Sequence, residues 1–316
     1  MEIYLVSMLI VAGIYGAMAL GLNVMWGMAG LVNLGLVGSA AVGAYTTALL
    51  TTRGGLPIFL GLMAGTAFAA ATGAFLSLVA GRLKDNYLAI VTLGFAEAIR
   101  IVASNEIWLT NGTDGISGIP GPFRSQLTTF EFNLLYLGIV TLVVASLFFL
   151  SQRILYSPFG RVLHAIRDDD VVVCVAGKNA RAFKVQAFAI GSGMIGLAGG
   201  LYAHYTSFIA PDLFVPLLTL YVKLSLLVGG VGNNRGAVLG AALVILILES
   251  TRFIVPLIPG ITAAQGAALR EIFLSASLLV VLRFRVRGLL PEAHDHLVER
   301  PDALRVEPVI HAAPSR

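Results

Sequence analysis

Charged side chains are scarce in this sequence, and those that could do chemistry are concentrated in residues 153–184. This stretch holds six basic residues and three consecutive aspartates: Arg153, Arg161, Arg167, Lys178, Arg181, Lys184, Asp168, Asp169 and Asp170. The flanking residues 132–152 and 185–211 contain no Lys, Arg, Asp or Glu. A charged loop between two apolar segments must lie in water, and its basic excess predicts that this water is the cytoplasm.

The sequence lacks the residue patterns that several kinds of chemistry require. Three aspartates with His164 as the lone neighbouring histidine do not form a metal-ligand pattern. There is no Ser/His/Asp set, no HExxH and no phosphate-binding GxxxxGK[ST]. The single cysteine, Cys174, cannot form an internal disulfide. The sequence therefore predicts no catalytic residues, no metal and no cofactor of its own; if ATP drives the protein, another chain binds it. The net charge of +4 comes without a basic stripe, which argues against nucleic acid.

A few ionisable residues lie within apolar segments, where each costs roughly 2.5–3.5 kcal/mol on insertion scales. Glu97 and Arg100 are three residues apart and share a helical face, so they line a polar path or form an ion pair near the outer interface. Lys223 lies in the middle of a span, and it requires a carboxylate, a water-filled path or a contact between subunits. The candidate carboxylates are Glu97, Asp212 and Glu249.

The composition predicts an all-α, polytopic integral membrane bundle of about 8–10 helices. Hydrophobic residues make up 57% of the chain and charged residues 12%, with a mean hydropathy of +0.88. Nine spans are expected at about 3–25, 31–51, 57–81, 87–103, 132–152, 183–207, 214–231, 237–255 and 265–282. Asn23 and Asn33 flank a break near 26–30, where they hydrogen-bond between helices or line a path. Segment 27–51 also suits a re-entrant or broken helix.

The charge pattern divides the chain into a transmembrane domain, 1–287, and a cytoplasmic tail, 288–316. The tail mixes both charges with proline and is expected to be disordered. Within the domain, 153–184 is a cytoplasmic loop and the Gly- and Pro-rich 104–131 an extracytoplasmic loop. Alternation then places Arg82, Lys84, Arg235 and Arg283 inside, and Arg53 and Arg124 outside.

Several motifs in a fixed order resemble one transporter family. They are YLAIVTLGFAEAIRIV, NGTDGISGIP, SPFGRVLHAIRDDD and LLVGGVGNNRGAVLGA. Together they are similar to permease subunits of branched-chain amino acid ABC importers, the LivH/LivM family, and in particular to the LivM-type subunit. The resemblance implies half of a translocation path for Leu, Ile and Val in the bacterial inner membrane. It also implies a second, LivH-like permease, two ABC ATPase subunits that bind ATP and Mg²⁺, and a periplasmic solute-binding protein.

The resemblance also assigns roles to residues. Phe159–Lys184 would hold an amphipathic helix that couples to the ATPases, with Val162, Leu163 and Ile166 on its apolar side. The coupling residues would be Gly160, Arg161, Arg167, Asp168, Asp169, Asp170 and Gly177. The translocation path would include Asn33, Glu97, Arg100 and Lys223. Val172 and Val173 stand where the family has alanines, and the charge of Lys223 is unusual for the family; both departures concern the identity of the solute.

Three other functions fit the same sequence. Importers of urea or amides are close relatives of the family, and nothing in the sequence defines a pocket for leucine. A gradient-driven secondary transporter could use Lys223 and Glu97 as an ion relay. A membrane subunit that lines no path is the third alternative.

Overall fold

The computed structural model describes residues 2–81, 83, 85–254 and 288–292, with a few residues between 265 and 283. The described part is helical apart from loops and one ribbon of two short strands, which confirms the all-α class. Its helices are α1 Glu2–Leu22, α2 Leu36–Thr52, α3 Ile58–Ala80, α4 Asp85–Asn105, α5 Ile107–Thr110, α6 Thr129–Tyr156, α7 Pro158–Asp168, α8 Asp170–Val175, α9 Ala180–Thr206, α10 Pro216–Gly229 and α11 Asn234–Ile254. The strands are β1 Ile116–Ser117 and β2 Phe208–Ile209.

Six helical stretches in the described residues are long and apolar enough to cross a membrane. They are Glu2–Met28, Ile58–Ala80, Asn86–Asn105, Thr129–Tyr156, Ala180–Thr206 and Pro211–Gly229. Helix α2 has 17 residues, fewer than the roughly 20 that a bilayer requires. The protein is therefore a polytopic helical membrane protein. The predicted span at 265–282 and the basic turn at Arg82 and Lys84 lie largely outside the described residues, so the count of eight to ten stays a prediction.

Contacts between distant segments sort the helix ends into two groups. The charged end is the end that carries residues 157–179. There the Arg181 guanidinium donates to the carbonyl of Leu78 at 2.9 Å, and the Asn234 amide donates to Gln152 at 2.9 Å. The loop end is the opposite end, which carries residues 106–128.

The loop end is tied together by backbone and arginine hydrogen bonds. Strands β1 and β2 pair antiparallel, with Ile116 opposite Ile209. Arg53 donates to the carbonyl of Trp108 at 2.8 Å, and Arg124 donates to the carbonyl of Tyr205 at 3.1 Å. Arg53 and Arg124 therefore share one end of the bundle, as the alternation of spans predicted.

Helix α9 lies at the centre of the bundle, packed against α1, α2 and α3. Glycines make this packing close. A Cβ on Gly21 of α1 would lie 2.7 Å from the carbonyl oxygen of Gly191 in α9, and a Cβ on Gly191 would lie 2.6 Å from that of Gly21. Because lipid gives no hydrophobic driving force between helices, such small-residue contacts supply the packing energy.

The break between α1 and α2 is longer than the sequence predicted. Helix α1 continues as a π-helical turn, Asn23–Met28, and α2 begins at Leu36, not at 31. The helix ends at this point because Gly30 adopts a left-handed backbone with φ +72°. The irregular segment is satisfied by protein groups: the N–H of Leu34 donates to Thr92 Oγ1 at 3.1 Å. Non-helical backbone at membrane depth requires such partners.

The expectation of a disordered tail from residue 288 is wrong for its first residues. The N–H groups of Leu289 and Leu290 donate to the carbonyls of Val228 and Gly229, each at 2.9 Å. These two carbonyls lie at the end of α10, where no N–H of the same helix bonds to them. They therefore accept hydrogen bonds from the C-terminal segment. Gly288–Glu292 therefore pack against the bundle, and residues 293–316 lie outside the described part.

The contact between α1 and α9 can be tested with Gly191→Ala. The added methyl would meet backbone that cannot move freely, so we expect a loss of about 1–3 kcal/mol of stability. The measurement is the melting temperature of the detergent-solubilised protein. Gly138→Ala in α6 is the matched control, since a Cβ there meets nothing within 4 Å. Equal melting temperatures for the two variants would show that α1 and α9 do not pack this closely.

Candidate functional site

The charged interruption forms two short helices joined at a corner. Helix α7 begins after Ser157, whose hydroxyl accepts from the N–H of Gly160 at 3.1 Å, and Pro158 occupies its first position. Asp169 then adopts an extended conformation and caps α8 by accepting from the N–H of Val171 at 2.8 Å. The observed interruption, 157–179, is narrower than the predicted 153–184 because α6 continues to Tyr156 and α9 begins at Ala180.

One side of α7 is apolar and buried, as predicted. Leu163 is fully buried, and Val162 and Ile166 are nearly so. The ring of Phe159 stacks on Phe183 of α9 with centroids 5.5 Å apart. Gly160 permits this approach, since a Cβ there would lie 2.5 Å from the carbonyl oxygen of Leu155. Helix α7 is therefore seated on the ends of α6 and α9.

The three aspartates have different roles. Asp168 is exposed, Asp169 is the cap of α8, and Asp170 forms an ion pair with Lys184 at 2.8 Å. The hydrogen bond from Lys184 lowers the pKa of the Asp170 carboxyl below its usual value, so the pair is intact at neutral pH. With Arg167 and Lys184 the aspartates line a cavity of about 370 Å³. Within the described residues no group of three His, Cys, Asp or Glu side chains could hold a metal ion.

Gly177 and Arg161 also belong to the predicted coupling set. Gly177 follows α8 in the left-handed region, at φ +78°, and faces open space, so it serves the turn into α9. Arg161 is exposed on the outer side of α7. Arg161, Val162 and Ala165 of α7 and Val172 and Val173 of the α8 segment line a shallow groove of about 340 Å³, with Lys178 at its rim.

Arg167 connects α7 to two other parts of the chain. Its Nη1 donates to the carbonyl of Gly27 at 2.5 Å, and its Nη2 donates to Glu292 at 2.9 Å. His164 Nδ1 lies 3.5 Å from the second oxygen of the same carboxylate. Glu292 was not predicted as a partner, because residues 288–316 were expected to form a disordered tail.

A buried amide network lies beside this contact. Asn23 donates to the side chain of Asn234 at 2.8 Å and accepts from the N–H of Gly232 at 2.9 Å. Asn234 in turn donates to Gln152 at 2.9 Å. Asn23 thus hydrogen-bonds between helices, one of the two predicted roles. Asn234 was missed, because it lies between the predicted spans 214–231 and 237–255 and was assigned no role.

The predicted path residues lie at different places. Glu97 and Arg100 form an ion pair with a closest distance of 2.5 Å, and Arg100 comes within 3.8 Å of Asp212 at the loop end. Asn33 is buried in the break, where its side-chain Oδ1 accepts a hydrogen bond from the N–H of Gly35 at 2.8 Å. Of the four, only Glu97 and Arg100 bond to each other in the described part. Their participation in a path stays a prediction.

Lys223 does not pair with a carboxylate in the described residues, so the first of its three predicted settings is not observed there, and the water-filled path and the subunit contact stay predictions. Its Nζ lies 5.1 Å from the centroid of the Trp26 ring. The expected partners Glu97, Asp212 and Glu249 contact Arg100 or Tyr4 instead. The π-helical turn presents the indole, and a cation over an indole face is attracted by the ring quadrupole. This pairing joins residues far apart in the sequence, and no local pattern indicates it.

The amide network can be tested with Asn234→Ala. The variant leaves the buried amide of Asn23 and the half-buried amide of Gln152 each without this hydrogen-bond partner, so we expect a loss of about 1–3 kcal/mol and a lower melting temperature in detergent. Asn86→Ala is the control, because Asn86 is exposed at the start of α4. An Asn234→Ala protein as stable as the control would contradict the network.

Comparisons with known proteins agree with this arrangement. The model of the family described as branched-chain amino acid transport system / permease component matches residues 4–282. The high-affinity branched-chain amino acid transport system permease protein LivM of Escherichia coli K12 is 33% identical over 317 residues, which cover 93% of this chain and 72% of the relative. The protein of that name from Salmonella typhimurium is 32% identical, covering 90% of this chain and 69% of the relative.

An archaeal protein shows the same likeness. The probable branched-chain amino acid transport permease protein LivM of Methanocaldococcus jannaschii is 28% identical over 341 residues, which cover 92% of this chain and 95% of the relative. The family match spans most of the transmembrane helices, the segment of α7 and α8, and the buried amides. This chain belongs to the family of permease components of branched-chain amino acid transport systems.

Proposed function

We propose that this chain is a permease subunit of an ATP-binding-cassette importer in the bacterial inner membrane. With a second, LivH-like permease it forms the translocation path for leucine, isoleucine and valine. Two ATPase subunits bind ATP and Mg²⁺ at the charged end, and a periplasmic solute-binding protein delivers the solute at the loop end. The observation that carries the proposal is the exposed groove on α7 and α8.

The basic residues support the assignment of the charged end to the ATPases. Arg161, Lys178, Arg181 and Lys184 lie in or beside the short interruption between α6 and α9. Short loops rich in Lys and Arg stay in the cytoplasm, where ATP is available. The loop end then faces the periplasm, and residues 106–128 meet the binding protein.

The groove has the character of a protein-docking surface. Its lining combines apolar side chains of both helices with two basic groups, Arg161 and Lys178. Around it Val171, Val172 and Val175 are 65%, 63% and 84% exposed. Three exposed valines on one six-residue helix in water favour a partner that covers them. A soluble ATPase that grips this hairpin can pull on α6 and α9, because α7 is seated on both.

The proposed path lies between this chain and the second permease. Helix α4 is among the least buried of the membrane-crossing helices, with 28% of its apolar window inside the bundle. It carries Glu97 and Arg100, which a single chain leaves part-exposed at membrane depth. Ionisable groups in such positions face a partner or a water-filled path. The second permease, packed beside α4, would supply the other wall.

The coupling role is tested by combining Arg161→Glu with Asp169→Ala. The first change reverses the charge at the groove and the second removes the cap that holds α8. We expect the ATPase activity stimulated by the binding protein to fall about tenfold or more, the effect of roughly 1.4 kcal/mol at the interface. The assay uses the complete importer in proteoliposomes.

Arg235→Gln is the control. Arg235 is exposed at the same end, in the first turn of α11, and this change removes its charge without placing an acidic group beside Glu292. Unchanged stimulation in the double variant would remove the coupling role. Leucine uptake by this chain alone, without nucleotide, would favour a gradient-driven transporter instead. Uptake of urea or an amide in place of leucine would reject the solute assignment.

A further inference from the structure

The C-terminal segment Gly288–Glu292 and the coupling helix meet at one arginine. We propose that Glu292 is a positioning residue for Arg167, and that the pair joins α7 to the π-helical end of α1 so that the two move together. Through this link the movement of the ATPases reaches Trp26 and Lys223 inside the bundle. The inference rests on the proposed function as an importer.

The geometry of Arg167 suits a mechanical link. One terminal nitrogen of the guanidinium, Nη1, donates to the carbonyl of Gly27 at 2.5 Å. The other, Nη2, donates to the carboxylate of Glu292 at 2.9 Å. Gly27 lies at the end of its helix, where carbonyls lack intrahelical donors. The side chains are 32% and 13% exposed, so water competes weakly with the ion pair.

Glu292 is itself fixed in place. The two preceding leucines hydrogen-bond to the end of α10, and the side-chain amide of Asn233 donates to the carbonyl of Pro291 at 3.1 Å. A Cβ on Gly232 would lie 2.7 Å from the carboxyl carbon of Glu292, so this glycine makes room for the carboxylate. The segment Gly288–Glu292 is thus anchored at the turn between α10 and α11, and it places the Glu292 carboxylate against α7.

The far end of the link is the Trp26 ring. Trp26 precedes Gly27 in the π-helical turn, and the Lys223 ammonium of α10 lies over its ring at 5.1 Å. Turns of this type occur frequently at functional sites in helices. A shift of Gly27 with α7 must shift the indole, and with it the partner of the cation in the middle of α10.

Two conservative substitutions separate the link from simple docking. Arg167→Lys keeps the charge, but a single ammonium cannot span both acceptors as the guanidinium fork does. Glu292→Gln keeps the shape and removes the charge that orients Arg167. In proteoliposomes we expect both variants to retain their ATPase subunits on purification and to hydrolyse at least about three times more ATP per leucine transported, a change near 0.7 kcal/mol in coupling.

The control is Arg181→Lys, which changes another arginine that donates to a carbonyl at the same end of the bundle. It should leave the ATP-to-leucine ratio at the wild-type value. A wild-type ratio in both Arg167→Lys and Glu292→Gln would overturn the link. Loss of the ATPase subunits from these variants would also overturn it, because the pair would then be part of the docking surface.

A second readout does not depend on the solute. The chain has two tryptophans, Trp26 and Trp108, so the emission of Trp26 is obtained as the difference between Trp108→Phe complexes with and without Trp26→Phe. We expect a non-hydrolysable ATP analogue to change this emission, and Arg167→Lys to abolish the change. An unchanged emission in the wild type would overturn the link. If the ATP analogue changes the Trp26 emission but the complex takes up no leucine, leucine is rejected as the solute and the link is retained.

Discussion

In a bilayer every backbone N–H and C=O must find a partner inside the protein, and this requirement governs the structure. Helical hydrogen bonding is interrupted between Met28 and Leu36, and the N–H of Leu34 there donates to Thr92 Oγ1 of α4. Just before this interruption, the Arg167 guanidinium donates to the carbonyl of Gly27. Backbone groups without hydrogen bonds would cost free energy. These two hydrogen bonds therefore attach the break to α4 and to α7. Helix α7, at the charged end, is thereby attached to the membrane helices.

The two sides of α7 have different surroundings. Its outer side, with Arg161 and the neighbouring valines of α8, is exposed. Its inner side packs on Phe183, and Arg167 holds it to Gly27. If an ATPase docks on the outer side, as proposed, its movement would reach the inner side without passing through a flexible loop. The close glycine packing around α9 would supply the rigid frame for this movement.

Hydropathy and charge were sufficient to predict the class, the six membrane-crossing helices of the described residues, the charged interruption and the apolar side of α7. These features are local, and their periodicity is written in consecutive residues. The partners of Arg167, Lys223 and Asn234 were not predictable, because each contact joins residues at least 82 positions apart in the sequence. The packed segment Gly288–Glu292 escaped notice for a related reason. Its polar composition resembles a tail, and only the unpaired carbonyls of α10 explain why it docks.

We infer that α7 and the end of α1 move as one body. Two cryo-EM structures of the complete importer, one without nucleotide and one with a bound ATP analogue, would measure this movement. We expect α7 to shift relative to α9 while Arg167 Nη1 stays within hydrogen-bonding distance of the Gly27 carbonyl, about 3.2 Å or less, in both states. A state in which α7 moves and this contact opens, with Trp26 unmoved, would show that the two helices move separately.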